Sequence, residues 1–353
     1  MRIFAPLTGN EKYLHRCLQL AQLGAGHVAP NPMVGAVLVY KDRIIGEGYH
    51  QQYGQAHAEV HCINNVSAEN RQWIDKSTLY VSLEPCAHFG KTPPCADLII
   101  KNKIPSVVIG CRDSYGEVNG KGIEKLKAAG VQVTVGVLEN DALQLNKRFF
   151  TFHRQLRPYV ILKWAQTADN KIAAMNERLL ISNEFTNRLV HQWRTEEAAI
   201  MVGTNTALKD DPALTARLYP GKNPLRLVID MDLKLPASLK LFDGTVNTIV
   251  FNKQKQAAGE MLSFSKIEAT EKIIPQILKT LYQLKIQSVI IEGGAKLLQS
   301  FIKDNLWDEA RVITNTQMKI GEGIDAPVLQ QQQLTTEQII LTDKIQYFLN
   351  SNQ

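Results

Sequence analysis

Four residues of this chain have the types and spacing to do chemistry together: His57 and Glu59 in "HAEVHC" (57–62), and Cys86 and Cys95 in "EPCAHFGKTPPC" (84–95). An imidazole and two thiolates are preferred zinc ligands. Zinc that braces a fold takes four protein ligands, whereas zinc that does chemistry takes three and keeps one position for water. His57, Cys86 and Cys95 make three. His61 and Cys62 are the candidates for a fourth, and His61, four residues after His57, would share its helical face. A fourth ligand from either would make the site structural.

The His57/His61 pair does not fit a metalloprotease, whose general base directly follows the first histidine; here Glu59 comes one place late. The order His57-Ala58-Glu59, Pro85-Cys86 and a second cysteine matches instead the zinc deaminases, in which the glutamate shuttles protons and is not a ligand. Eight residues between Cys86 and Cys95 replace the short C-x-x-C form, and Pro93-Pro94 place Cys95 at a helix start. Bound zinc would bring its water's pKa from about 15.7 towards roughly 7. Glu59 could then move that proton to a ring nitrogen and to the departing amine. Cys17 and Cys111 read as core residues, and His61 and Cys62 as helix packing.

These residues need a scaffold. With 353 residues, 44% of them hydrophobic, the chain can bury two cores. "EKYLHRCLQLAQLGAG" has helical spacing and "MVGAVLVYKDRIIGEGYH" reads as a hairpin turning at Lys41-Asp42. "AHAEVHCINN" starts a helix, "TLYVSLE" is a buried strand, "ADLIIKNK" a helix, "SVVIGCRD" a strand, and "IEKLKAAGVQVTVGVL" a helix and a strand. The stretch from Glu139 to about Arg154 is helical and polar, and "LRPY" breaks it. We read two layered α/β domains, residues 1–150 and 151–353. The second alternates "YVILKWA" (strand), "FTNRLVHQWRTEE" (helix), "AIMVG", "LRLVID" and "TIVFN" (strands), "IPQILKTLYQL" (helix), "SVIIEGG" (strand) and "AKLLQSFIKDN" (helix), with the glutamine-rich 330–333 as a loop.

The net charge of +6 divides evenly, with 16 Lys/Arg against 13 Asp/Glu in the first 150 residues and 24 against 21 in the rest. Nothing clusters into a nucleic-acid footprint, so the excess suits small anionic ligands. Five scattered cysteines, short apolar runs and no signal core give the expectation of a cytoplasmic protein that binds neither membrane nor nucleic acid.

Over nearly its whole length the sequence resembles the bifunctional deaminase-reductases of riboflavin biosynthesis. "APNPMVGAVLV", "GEGYHQQYGQAHAEVHC", "LEPCAHFGKTPPC" and "NGKGIEKLKAAGV" carry the likeness in the first half. "LKWAQTADNKIA", "HQWRTEEAAIMVGTNTALKDDPALTAR", "LRLVID" and "IEGGAKLLQSF" carry it in the second. The resemblance implies a cytidine-deaminase-like α/β/α sandwich followed by a dihydrofolate-reductase-like α/β domain, with Zn2+ and NADPH as cofactors. The implied reactions are deamination of a diamino-(phosphoribosylamino)pyrimidinone and then reduction of its ribosyl group to ribityl. By position it implies that Asn31, His50, His88 and Lys91 hold the pyrimidine and its phosphoribosyl tail, with Asp113 nearby. Lys163, Arg194, Leu214, Arg217 and Glu292 would line the reductase substrate site. Ala165, Thr206, Asp210, Gly293 and Gly294 would meet NADPH. A homo-oligomer, dimer or tetramer, is expected by the same analogy.

Elementary chemistry supports parts of this second set. A glycine pair between strand and helix lets phosphate approach backbone N–H groups, arginines suit bidentate phosphate binding, and Lys163 in an apolar strand needs a partner or ligand. Three positions depart from the family's pattern: Asn170 where glycine is common, Leu180 where an aromatic is common, and Met231 where a small residue is common. They motivate an alternative, a deaminase whose second domain has lost hydride transfer and serves assembly.

Overall fold

The computed structural model describes residues 7, 9–89, 93–113, 119–175 and 179–352. It divides into two compact units, Met1–Gln155 and Leu156–Gln353. Residue 150 lies inside a helix, so the first unit runs on to Gln155.

The first unit contains α1 (Gly9–Gln22), β1 (Gly35–Tyr40), β2 (Arg43–Tyr49), α2 (Ala58–Asn64), β3 (Thr78–Leu83), α3 (Cys95–Lys101), β4 (Ser106–Cys111), α4 (Lys121–Ala128), β5 (Gln132–Val135), α5 (Glu139–Leu145) and α6 (Lys147–Gln155). A 3-10 helix over Ala68–Lys76, which the sequence pattern did not reveal, joins α2 to β3. The hairpin turns where expected: Lys41 and Asp42 both take left-handed backbone (φ 46° and 61°), as a two-residue turn matching strand twist requires. The sheet order is β2-β1-β3-β4-β5, with β1 antiparallel to both neighbours and β3, β4 and β5 parallel.

Alternation along β1 builds three layers. Val37 and Val39 pack with Tyr13, Leu14 and Cys17 of α1 on one face. Ala36 and Leu38 pack with Ala58 and Cys62 of α2, and with Ala96 and Ile99 of α3, on the other. Glycines let these helices come down onto the sheet. A methyl at Gly35 would lie 2.0 Å from the Cys17 carbonyl oxygen, and one at Gly48 would lie 2.3 Å from the Cys62 nitrogen. The stretch after Glu139 is two helices, broken at buried Asn146, whose amide exchanges two hydrogen bonds with the Met33 backbone. It is less polar than its sequence suggested, since α6 buries Phe149, Phe150 and Phe152.

The second unit contains β6 (Tyr159–Thr167), β7 (Lys171–Ala173), α7 (Glu184–Glu196), β8 (Ala199–Gly203), α8 (Thr204–Asp210), β9 (Leu225–Ile229), β10 (Thr248–Asn252), β11 (Leu262–Lys266), α9 (Ile273–Gln283), β12 (Ser288–Ile291), α10 (Ala295–Lys303), β13 (Glu309–Asn315), β14 (Ile324–Asp325), β15 (Gln332–Ile340) and β16 (Asp343–Asn350). Its main sheet runs β11-β10-β9-β8-β12-β6-β13-β16-β15. Every pair from β11 to β13 is parallel, and β16 and β15 close one edge antiparallel. Parallel strands buried on both faces read as the near-continuous apolar runs seen in the sequence. Leu162, Met201 and Ile291 face α9 and α10, whereas Ile161, Val202 and Ile290 face α7 and α8. The glutamine stretch is not simply a loop: Gln332 and Gln333 pair with Asn350 and Leu349 as the start of β15.

Among the described residues no helix is long and apolar enough to cross a membrane.

Because α2 rests on Gly48 and carries Glu59, Gly48→Ala should push the helix off the sheet. We expect a destabilisation of about 1–3 kcal/mol, the usual cost of overpacking, measured by denaturant titration of the first unit's transition. Weaker zinc retention should accompany it.

Candidate metal and reductase sites

His57 is the N-cap of α2, Cys86 follows β3 in a short connection, and Cys95 is the first residue of α3. Among the described residues these form the one group of three or more His, Cys, Asp or Glu side chains placed to hold a metal, with ligand atoms within 4.8 Å of one another. His57 Nδ1 lies 3.3 Å from Cys95 Sγ and 3.6 Å from Cys86 Sγ. Tetrahedral zinc, with bonds of about 2.1 Å to nitrogen and about 2.3 Å to sulfur, sets N and S ligands about 3.6 Å apart. The donors therefore fit that ion in chemistry and in spacing.

Neither proposed extra ligand joins them. Cys62 points into the core, its thiol donating to the Gly46 carbonyl at 3.4 Å, and His61 is outside the group. Cys17 and Cys111 are likewise buried, with their thiols on the Tyr80 and Ser82 carbonyls.

The hydrogen bond from Cys95, together with His57 and the Cys95 backbone N–H, holds the Cys86 thiol well below its ordinary range. The same pairing pushes Cys95 up. Glu59 is 3% exposed, with the Cys95 thiol among the groups that act on its carboxyl. Burial raises its pKa, the His57 charge opposes this, and a dication on the three ligands would oppose it further.

His50 packs edge-on against His57 with ring centres 5.4 Å apart. Its Nδ1 meets the Ala56 carbonyl at 3.1 Å and its Nε2 meets Asn31 Nδ2 at 3.2 Å. A carbonyl can only accept, so Nδ1 carries the proton and Nε2 accepts from Asn31. Burial lowers the His50 pKa, which favours this neutral form. His88 is half-buried just beyond Cys86, and Asp113 is buried after β4, its N–H on the Glu84 carboxylate. Lys91 lies outside the described residues.

In the second unit Glu292 follows β12, on the α7 face of the sheet. Its carboxylate receives Arg194 Nε at 2.8 Å and Nη2 at 2.7 Å, and Lys163 Nζ approaches at 3.5 Å. Burial alone would raise Glu292, but the Arg194 and Lys163 charges outweigh it and hold the group at about 2. The same burial lowers Lys163.

Arg194 Nη1 also donates to the Thr215 carbonyl at 2.9 Å, which ties in the loop that carries Leu214 and Arg217. Leu214 is buried with φ +52°, a costly backbone for a branched side chain. Arg217 is exposed. Ala165 shares the Lys163 face of β6, two residues on.

Thr206 accepts the Gly294 N–H at 3.0 Å, and Asp210 is one turn further along α8. Gly203 and Gly294 are the N-caps of α8 and α10, both without a side-chain cap, at the ends of neighbouring parallel strands. Two uncapped helix starts at adjacent carboxyl ends suit the phosphates of a dinucleotide.

Three residues of these sites escaped the sequence reading. Gly203 gave the same strand–glycine–helix signal as Gly294. Glu84 ends the buried strand "TLYVSLE", where a carboxylate needs partners. His191 gave no signal; it is buried beside the cations, and its Nδ1 accepts the Leu218 N–H at 3.4 Å.

Comparison with known proteins bears on both halves. Residues 158–344 match the model of the RibD C-terminal domain, and residues 7–111 match the cytidine and deoxycytidylate deaminase zinc-binding region. The riboflavin biosynthesis protein RibD of Aquifex aeolicus is 40% identical over 322 residues, covering 89% of each chain.

The chain belongs to the RibD family.

Among solved structures, the diaminohydroxyphosphoribosylaminopyrimidine deaminase/5-amino-6-(5-phosphoribosylamino)uracil reductase of Thermotoga maritima superposes with a TM-score of 0.89 at 34% identity, covering 97% of this chain and 99% of that one. RibD of Acinetobacter baumannii gives 0.86 at 29% identity, covering 97% and 98%. As in other RibD proteins, a zinc-binding deaminase domain is joined to a reductase domain.

The departures from the RibD pattern are accommodated. Asn170 takes the left-handed turn itself (φ +58°), which asparagine tolerates, and its side chain accepts from Gln166. Met231 packs against the second unit's core, and Leu180 is exposed.

His191 is held down to about 4 by burial first and then by the Arg194 and Arg217 charges. A histidine whose folded pKa is depressed binds fewer protons folded than unfolded. Stability should therefore fall as pH drops from about 6.5 to about 4. His191→Asn, which keeps an acceptor near the Nδ1 position, should flatten that limb in denaturation midpoints followed by tryptophan fluorescence.

Proposed function

We propose that the first unit deaminates 2,5-diamino-6-(5-phosphoribosylamino)pyrimidin-4(3H)-one and that the second, using NADPH, reduces the ribosyl group of the product to ribityl. The observation that carries this reading is the meeting of three soft donors beside one buried carboxyl, Glu59, in a RibD-family chain that also has the reductase domain. His57, Cys86 and Cys95 hold zinc, which when bound supplies a Lewis acid that makes hydroxide available near neutral pH.

Glu59 takes one proton of the attacking water on its carboxylate and gives it to the ring nitrogen; as the C–N bond breaks it takes the remaining hydroxyl proton of the adduct and gives that to the departing amine, which leaves as ammonia. The Glu59 side chain is enclosed, so the proton is passed within the site and not lost to solvent. The neutral His50, with one ring nitrogen on the Ala56 carbonyl and the other on Asn31, fixes the Asn31 amide for the pyrimidine and puts no charge beside it. His88, Lys91 and Asp113 complete the substrate side. The substrate class is a small phosphorylated pyrimidine and not a nucleic acid.

In the reductase half, Glu292 pinned between Lys163 and Arg194 forms a rigid polar floor beneath the ribosyl chain. Leu214 and Arg217 come from the loop that Arg194 and His191 anchor, and Arg217, exposed and cationic, receives the phosphate. Thr206, Asp210, Gly293, Gly294 and the Ala165 edge of β6 take the dinucleotide. Bound NADPH would supply the hydride to C1′ of the ribosyl group as its bond to the ring oxygen breaks, with a proton from solvent taken up by the released oxygen, so the chief task of these side chains is to orient the two partners.

Separate variants should separate the activities. Glu59→Gln should cut deaminase kcat by roughly 10²–10⁴, leaving zinc content and reduction of the deaminated compound intact. Arg217→Gln should lower reductase kcat/KM roughly ten- to hundredfold, the worth of a hydrogen bond to a charged group, with deamination unchanged. Loss of both activities in either variant would contradict the assignment.

A further inference from the structure

The turn that carries Cys86 is gripped from two sides by helix starts. On one side α3 reaches it: Cys86 Sγ accepts the Cys95 N–H at 3.3 Å, and the Cys86 carbonyl accepts the Ala96 N–H at 3.1 Å. On the other side is Glu84, two residues earlier and only 4% exposed. Its Oε1 accepts the N–H groups of Gly122 and Ile123 at 3.0 and 3.3 Å, and its Oε2 those of Gly120 and Asp113 at 3.0 and 3.3 Å. Among the described residues no cation pairs with it. Four backbone donors and the positive end of α4 balance the charge instead.

A local serine or aspartate at position 120 could have capped α4. Gly120 stands there instead, with φ +88° and no side chain to do so. The cap comes from a residue 36 positions back, and so links two segments that a local cap would leave independent. Contact is close enough to transmit position: a methyl at Gly122 would fall 1.9 Å from the Pro85 carbonyl oxygen. An ion pair between Lys125 and Asp97, at 2.5 Å, ties α4 back to α3.

We propose that Glu84 is a positioning residue of the deaminase site: by clamping the start of α4 and the Asp113 backbone to the Pro85–Cys86 turn, it sets Cys86 against Cys95 and Asp113 against the pyrimidine. The substrate half of this statement rests on the deaminase reading above; the metal half does not.

The test compares Glu84→Gln, Gly122→Ala and the surface control Lys121→Ala with the unaltered full-length protein, well below the unfolding temperature. Glutamine keeps the volume but turns an acceptor into a donor facing backbone N–H groups. Gly122→Ala leaves Glu84 intact and lifts α4 off Pro85. Zinc affinity is read by chelator competition, deaminase kcat and KM by steady-state kinetics, folding of the first unit by its denaturant transition, and integrity of the second by the reductase activity on deaminated substrate.

Both altered proteins should bind zinc roughly ten- to hundredfold more weakly, as loss of a supporting contact does elsewhere. KM for deamination should rise as Asp113 loses its tether, with reductase activity and Lys121→Ala near the unaltered values. Should one variant fail to fold, the other decides by the same readings. A folded variant with unchanged zinc affinity and unchanged deaminase kcat and KM, melting lower only, would reduce Glu84 to a helix cap and overturn the proposal. If the unaltered protein deaminates nothing, the deaminase reading fails, and zinc competition still decides whether Glu84 positions Cys86.

Discussion

Three soft donors can share one point only if the starts of α2 and α3 and the end of β3 are delivered to the same place. Most of the first unit serves that constraint. His57 is fixed because α2 lies on Gly46 and Gly48 of β2, where any larger residue would collide with its backbone. Cys95 is fixed as the first residue of α3, and Cys86 because the chain leaving β3 is held at both ends by backbone N–H groups. Once the donors meet, Glu59, the second residue of α2, is beside them. Its burial follows from the same packing.

The second unit solves a different problem by similar means. Its chemistry needs orientation more than proton transfer, and a cation–carboxylate–cation cluster supplies it. Register puts Lys163 of β6 beside the residue that follows β12, and α7 brings Arg194 over both. The Arg194 and Lys163 charges hold Glu292 at about 2 against its burial, so its carboxylate stays ionised at neutral pH and keeps the two cations in place. The uncapped starts of α8 and α10 stand at the carboxyl ends of adjacent strands, where parallel α/β sheets place their ligands.

Much of this was legible in residue order. Apolar periodicity identified α1, the β1–β2 hairpin and the alternating core of the second unit, because those segments bury one face or two and their composition records it. His57, Glu59, Cys86 and Cys95 stood out because metal chemistry restricts residue type so narrowly. Elements at the exposed edge were missed: β15 is mostly polar and largely solvent-facing, and its pairing with β16 depends on register, which composition does not encode. Glu84 and His191 were missed for a related reason. Each acts by accepting backbone N–H groups far along the chain, 29 to 39 residues away for Glu84 and 27 for His191, and such partners exist only once the fold has brought them together.

The central claim is that one chain carries both reactions in order. It is tested most directly by incubating the zinc-loaded protein with the diamino-(phosphoribosylamino)pyrimidinone, with and without NADPH, and following the products by mass spectrometry. The account predicts replacement of one amino group by oxygen in the absence of NADPH, and the further gain of two hydrogens in its presence. Deamination without reduction would contradict the role given to the second unit, and an unchanged substrate would contradict the reading of the metal site.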